Sequence, residues 1–168
     1  MTFPALATIK TGFGGIAISQ QAGLLKIDLF SEPTVTQDPL VQDAVVQHPI
    51  AQHPSFKQTT QEILAYLQRP HQAFSLPAQL AGSAFQQKVW LAIYAIPLGQ
   101  TRSYSELAAQ LQSGPRAVAN ACGANRLPLL IPCHRVVAKN GLGGFMRGNK
   151  NGLPIKRWLL THEGVNEY

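Results

Sequence analysis

The chain is poor in charge, in cysteine and in long apolar runs. Of its 168 residues, 13% are Asp, Glu, Lys or Arg and 45% are hydrophobic. A chain with that balance does not belong to the disordered class. No apolar run approaches the roughly 20 residues of a membrane-spanning helix, so no membrane association is expected. The opening run Met1-Thr2-Phe3-Pro4-Ala5-Leu6-Ala7 has no basic segment, and Lys10 comes too early for a secretory signal. The expectation is a cytoplasmic protein. The two cysteines, Cys122 and Cys133, could form one disulfide, but free thiols are expected in a reducing compartment. Together with His134 they fall short of the four closed ligands of a structural zinc site. No metal and no cofactor are expected.

What is present is an uneven distribution of charge. Up to Gly82 there are four basic residues against five acidic ones, a net of −1. From Ser83 onward ten basic residues face three acidic ones (Glu106, Glu163 and Glu167), a net of +7. A field of that sign favours polyanions such as nucleic acid. An ordinary soluble basic surface has the same composition.

The first half opens with two strand-like runs. Phe13 to Ser19 carries the turn pair Gly14-Gly15, and Leu24 to Phe30 alternates with Leu25, Ile27 and Leu29 on one face. Leu40 to Val46 reads as a short helix and Phe56 to Leu67 as a longer one, stopped at Arg69-Pro70. Phe74-Ser75-Leu76 reads as a further strand, and Leu76 to Gly82 as a linker. The spacing thus predicts an α/β (α+β) chain, with a strand-rich domain at 1–78 and a mainly helical one at 79–168.

Helix signals are strong in the second half. Ser83 with Gln86, and Ser103 with Glu106, have capping-box spacing. Gly114-Pro115 opens a further helix through Ala117, Val118, Ala119 and Ala121. Two short helices joined by a tight Gly-containing turn fit a helix-turn-helix. Major-groove reading helices carry several long polar side chains. This one has small residues and a single long probe, Arg116, which suits a backbone lying close in a minor groove. Ala-rich helices also simply pack against other helices. Pro154 to His162 reads as the last helix, with Gly164 as its stop.

Pro132-Cys133-His134-Arg135 sets a nucleophile beside a base and a cation. The reactive form is the thiolate, with a free pKa of about 8.5. On an extended segment neighbouring side chains point to opposite faces. His134 would therefore reach Cys133 through a water or a local helical turn, and a carboxylate behind the imidazole would fix its tautomer. Glu163 is the best acidic candidate. A buried inert cysteine is the plain alternative, and it is the better reading for Cys122.

The run Ile131-Pro132-Cys133-His134-Arg135-Val136-Val137 closely resembles the active-site signature of the O6-alkylguanine-DNA alkyltransferases, the methylated-DNA–protein-cysteine methyltransferases. Phe85 to Trp90, Ile96 to Thr101, Ser103-Tyr104 to Leu107-Ala108, Arg116-Ala117-Val118, Asn125, and Trp158 to Gly164 fit the same family in order. The resemblance covers Ser83 to Gly164. It implies a ribonuclease H-like first domain and direct repair of DNA, with transfer of an alkyl group from O6-alkylguanine to Cys133, one turnover per molecule.

By that resemblance His134 is the base, acting through a water, Glu163 orients it and Asn125 braces the turn. Arg116 enters the base stack. Pro115, Ala117, Ala119, Arg126 and Tyr104 face DNA, and Tyr104, Val136, Phe145 and Met146 border the guanine. The implied partner is double-stranded DNA containing O6-alkylguanine, bound by a monomer.

The departures are Gly144-Phe145, where the family commonly has Gly-Tyr, and a longer run from Met146 to Leu153. Some relatives bind zinc in the first half. No cysteine precedes Cys122, so no such site is expected, and His48, His53 and His71 read as surface residues. The rival readings are a non-catalytic binder of alkylated DNA and a helix-turn-helix regulator with a redox cysteine.

Overall fold

Residues 7–21, 24–31, 45–46, 54–70, 74–77, 80–149 and 151–168 are described in a computed structural model. The chain divides into two units, Met1–Gln79 and Leu80–Tyr168. His48, His53, His71, Lys150 and residues 40–44 lie outside the described residues.

The first unit is built on strands β1 (Ala7–Thr11), β2 (Gly14–Gln21), β3 (Leu24–Phe30) and β4 (Val45–Val46), in the order β3-β2-β1-β4. Every pairing is antiparallel. Alternation sets the buried face: Ile9, Ile16, Ile18, Ile27 and Leu29 are all buried, with Ile9 opposite Ile16 and Ile18 opposite Ile27. The β1–β2 turn is Gly12-Phe13 rather than Gly14-Gly15, which lie in β2 opposite Thr11 and Lys10. Gly15 serves packing: a Cβ there would stand 2.4 Å from Phe30 Cζ.

Two other expectations for this half are corrected. Val45-Val46 pairs with β1 instead of ending a helix, as suits β-branched residues beside an open sheet edge. Phe74 to Leu76 forms no strand. Helix α1 (Pro54–Gln68) holds that segment through side chains. Ser75 N donates to Glu62 Oε2 at 2.9 Å, and the Phe74 ring lies 5.2 Å from that of Tyr66.

The second unit carries α2 (Ala84–Tyr94), β5 (Arg102–Ser103), α3 (Tyr104–Gln110), α4 (Pro115–Gly123), β6 (Val136–Val137) and α5 (Gly152–His162). Both capping boxes form. Gln86 N donates to Ser83 Oγ and Ser83 N to Gln86 Oε1, and Ser103 and Glu106 repeat the exchange. Trp90 Nε1 donates to Ala121 O at 2.8 Å, joining α2 to α4 inside the core. The parallel pair β5–β6 sets Arg102 beside Val136 and Ser103 beside Val137. That pairing brings the start of α3, with Tyr104, next to the strand that follows Cys133. Among the described residues no helix is long and apolar enough to cross a membrane.

Ser103→Ala removes the cap of α3 and lowers the unfolding free energy by about 1 kcal/mol. The shift of the urea midpoint checks it, and an unmoved midpoint contradicts the cap's role.

Candidate active site

Pro132 shapes the approach to the thiol. Its φ of −77° and ψ of 63° are those of an inverse γ-turn, and Cys133 N accordingly donates to Ile131 O at 2.7 Å. The proline ring presets this φ. A single 3-10 turn, Cys133–Arg135, follows and leads into β6. The chain here is therefore a local helical turn, not an extended segment.

Cys133 is 9% exposed. Asn125 Nδ2 donates to its Sγ at 3.3 Å and to Ile131 O at 2.9 Å, while Asn125 Oδ1 accepts from Leu127 N at 2.9 Å. One amide thus braces both the turn and the sulfur. Burial pushes the Cys133 thiol up, against the smaller opposing effects of the Asn125 hydrogen bond and the Lys156 charge. The resting form is the thiol.

Behind it, His134 Nε2 lies 2.8 Å from Glu163 Oε1. Arg135 donates to the same carboxylate from Nε at 2.7 Å and from its terminal nitrogen at 2.9 Å, and its other terminal nitrogen donates to Ile96 O at 2.6 Å. Arg135 therefore serves Glu163, and its guanidinium is committed there rather than to the thiol. Burial alone would raise the Glu163 pKa, but the hydrogen bonds from His134 and Arg135 outweigh it and hold the carboxyl well below the usual range. An ionised carboxylate only accepts, so His134 carries its proton on Nε2. Nδ1 is then the lone-pair nitrogen, buried and without a hydrogen-bond partner. Burial, only partly opposed by Glu163, lowers the His134 pKa and keeps the ring neutral.

Lys156 escaped the sequence reading. It is fully buried, and its Nζ donates to Val136 O and Leu142 O, each at 2.6 Å, and to Gly144 O at 3.0 Å. Burial brings its pKa down to about 8. The available signal was a lysine on the apolar stripe of α5 with Ile155, Leu159 and Leu160. Gly144 O also accepts from Tyr104 Oη at 3.2 Å. Burial, then the two cysteines, push Tyr104 up to about 12, so its hydroxyl stays a donor.

The other expected residues are spread more widely. Val136 and Phe145 are buried and Met146 is half-buried. Pro115, Arg116 and Arg126 are exposed, Ala117 and Ala119 half-buried. Arg116 sits in the first turn of α4, whose Val118 and Ala121 face the core. Cys122 is half-buried and its thiol is pushed up to about 12, chiefly by burial. Among the described residues no cluster of His, Cys, Asp and Glu could hold a metal ion.

Fold and site define a two-unit α+β protein whose helical unit holds a buried cysteine beside an oriented histidine. Residues 84–165 match the family described as 6-O-methylguanine DNA methyltransferase, DNA binding domain. The regulatory protein ada of Salmonella typhimurium is 43% identical over 114 residues, 67% of this chain and 31% of that protein. The probable methylated-DNA–protein-cysteine methyltransferase of Acanthamoeba polyphaga mimivirus is 48% identical over 94 residues, 55% of this chain and 60% of that one. The chain thus spans less than two thirds of either relative. The Mycobacterium tuberculosis OGT structure in complex with DNA aligns over 94% of this chain and 91% of its own, at 29% identity and a TM-score of 0.69. This chain belongs to the O6-alkylguanine-DNA alkyltransferase family.

Lys156→Met leaves buried carbonyls without a donor and costs about 1–3 kcal/mol in denaturant unfolding; unchanged stability contradicts the bracing role. The Glu163 pKa is depressed on folding, so its contribution is present above its ordinary value of 4.5 and lost as pH falls towards the lower folded value. His134 adds to the loss: below 6.5 the unfolded ring takes up a proton that the buried ring resists. Stability therefore falls with acidification, and Glu163→Gln flattens the limb below pH 4.5. An equally steep limb in that variant contradicts the assignment.

Proposed function

We propose that this protein repairs DNA by direct damage reversal, moving the alkyl group of O6-alkylguanine in double-stranded DNA onto Cys133 once per molecule. The observation that carries it is the Cys133–Asn125 bond beside a neutral His134 held by Glu163. His134 Nδ1 takes the thiol proton, with water as the relay that the family resemblance implies. The sulfur attacks the alkyl carbon in line, the carbon–O6 bond breaks, and its electron pair passes to the guanine. The proton released by Cys133 restores neutral guanine. The product is a thioether with no good leaving group, which makes the protein single-use.

In-line attack is blocked while the base is stacked, so the base must be flipped, at a cost of a few kcal/mol. The reading takes α3 and α4 as a helix-turn-helix seated in the minor groove. Pro115, Ala117 and Ala119 allow close approach, Arg116 fills the vacated stack, and Arg126 meets the backbone. Tyr104, Val136, Phe145 and Met146 border the flipped guanine. The exposure of Arg116 and the basic second unit support this. The antiparallel run β3-β2-β1 of the first unit supports a ribonuclease H-like domain over 1–78. The working unit is a monomer in the cytoplasm.

Labelled methyl from a random-sequence duplex passes to the parent and stops at one methyl per chain, while Cys133→Ala takes none. Absence of transfer, or repeated turnover, sinks the proposal. Arg116→Ala slows duplex repair by at least about ten-fold, the equivalent of about 1.4 kcal/mol, and leaves attack on free O6-benzylguanine near the parent rate. Equal losses on both substrates would make Arg116 structural.

A further inference from the structure

Met146, Arg147 and Gly148 are three successive left-handed residues, with φ of 48°, 56° and 78°. Glycine adopts that conformation freely, whereas Met146 and Arg147 hold it against their own Cβ atoms. The turn is closed by Gly148 N to Phe145 O at 3.0 Å, Asn149 N to Met146 O at 3.2 Å and Gly152 N to Asn149 O at 2.8 Å. Its inner side is packed tight, since a Cβ on Gly152 would stand 2.8 Å from Phe145 O. Strain of this kind persists only where the surroundings over-determine it.

Arg147 supplies the hold on the outer side. Its Nε donates to Gly123 O at 2.7 Å. Gly123 ends α4, whose last turn has no basic residue of its own. The guanidinium therefore meets the negative end of that helix. Arg116 sits at the opposite end of the same nine-residue helix. The run just before the strained turn lies against Tyr104. Gly144 O accepts the Tyr104 hydroxyl, and a Cβ on Gly143 would come within 3.1 Å of Tyr104 Cε2. Lys156 binds Gly144 O as well as Val136 O, three residues beyond Cys133. A short chain of contacts thus runs from α4 through Arg147 to the loop that Tyr104 and Lys156 hold at Gly144.

We propose that Arg147 is a positioning residue that ties the 143–148 loop to the C-terminal end of α4, so that seating α4 on DNA sets how large an alkyl group the loop admits. This rests on the alkyl-transfer reading and adds to it a residue that controls specificity. Arg147 joins the two surfaces the reaction needs, one meeting the duplex and one enclosing the alkyl group.

The test uses the whole chain as parent, Arg147→Ala and Arg147→Lys. Single-turnover rates are measured on duplexes carrying O6-methylguanine or O6-benzylguanine, and amide exchange is followed with an undamaged duplex. In Arg147→Ala the benzyl-to-methyl rate ratio shifts by at least about five-fold, the lower end of typical coupling between sites. Arg147→Lys, whose ammonium still reaches the helix end, brings the ratio back to within about two-fold of the parent.

Undamaged duplex slows exchange at Gly148 and Gly152 in the parent. That protection is lost in Arg147→Ala, while the amides of α4 stay protected. An unchanged ratio, or loop protection that survives in Arg147→Ala, overturns the proposal. So does weaker duplex binding with a salt slope smaller by about one and an unchanged ratio, which would make Arg147 a phosphate contact. The exchange measurement needs no transfer, so a parent that never accepts methyl sinks the alkyl-transfer reading while the tether is judged by exchange alone.

Discussion

The carboxylate of Glu163 sits where water does not reach and accepts from both His134 and Arg135. Burying a lone carboxylate is costly, and removing one partner of such a cluster leaves an uncompensated charge. Both donors must therefore be present, and both come from the 3-10 turn that begins at Cys133. The last helix delivers Glu163 as its C-terminal cap. Arg135 also reaches back to Ile96 O beyond the end of α2. One buried charge thereby fixes the first helix, the cysteine turn and the last helix of the unit to one another.

The direction of proton flow in the proposed transfer follows from that charge. An acceptor-only carboxylate selects the imidazole tautomer, and the tautomer leaves Nδ1 as the nitrogen with a free lone pair. The thiol and the imidazole are both neutral at rest because burial disfavours their charged forms. A resting thiolate would be an indiscriminate nucleophile. In the proposed transfer, a buried thiol beside an oriented base reacts only when substrate is in place, which suits a protein consumed by one reaction.

Local signals were legible in the sequence. The capping boxes at Ser83 and Ser103 depend on residues three apart, and both form. The alternation of Leu24 to Phe30 corresponds to a strand because a half-buried sheet imposes a period of two. What spacing could not give were contacts closed by the tertiary fold. His134 and Glu163 are 29 residues apart, and only scarcity of acids and a family resemblance pointed to the pair. Lys156 was hidden because its charge is satisfied by carbonyls from three separate positions. Arg135 looked like a cation for the thiol, since adjacency in sequence says nothing about where a long side chain ends. The β1–β2 turn was misplaced because Gly15 answers to the Phe30 ring, a contact 15 residues away.

In the proposed transfer Glu163 makes His134 Nδ1 the acceptor for the Cys133 proton. Nitrogen-15 NMR of the histidine ring tests it directly. At neutral pH the expected spectrum is that of a neutral His134, protonated at Nε2 and unprotonated at Nδ1, with loss of that single tautomer in Glu163→Gln. A ring protonated at Nδ1, or an imidazolium at neutral pH, would contradict it.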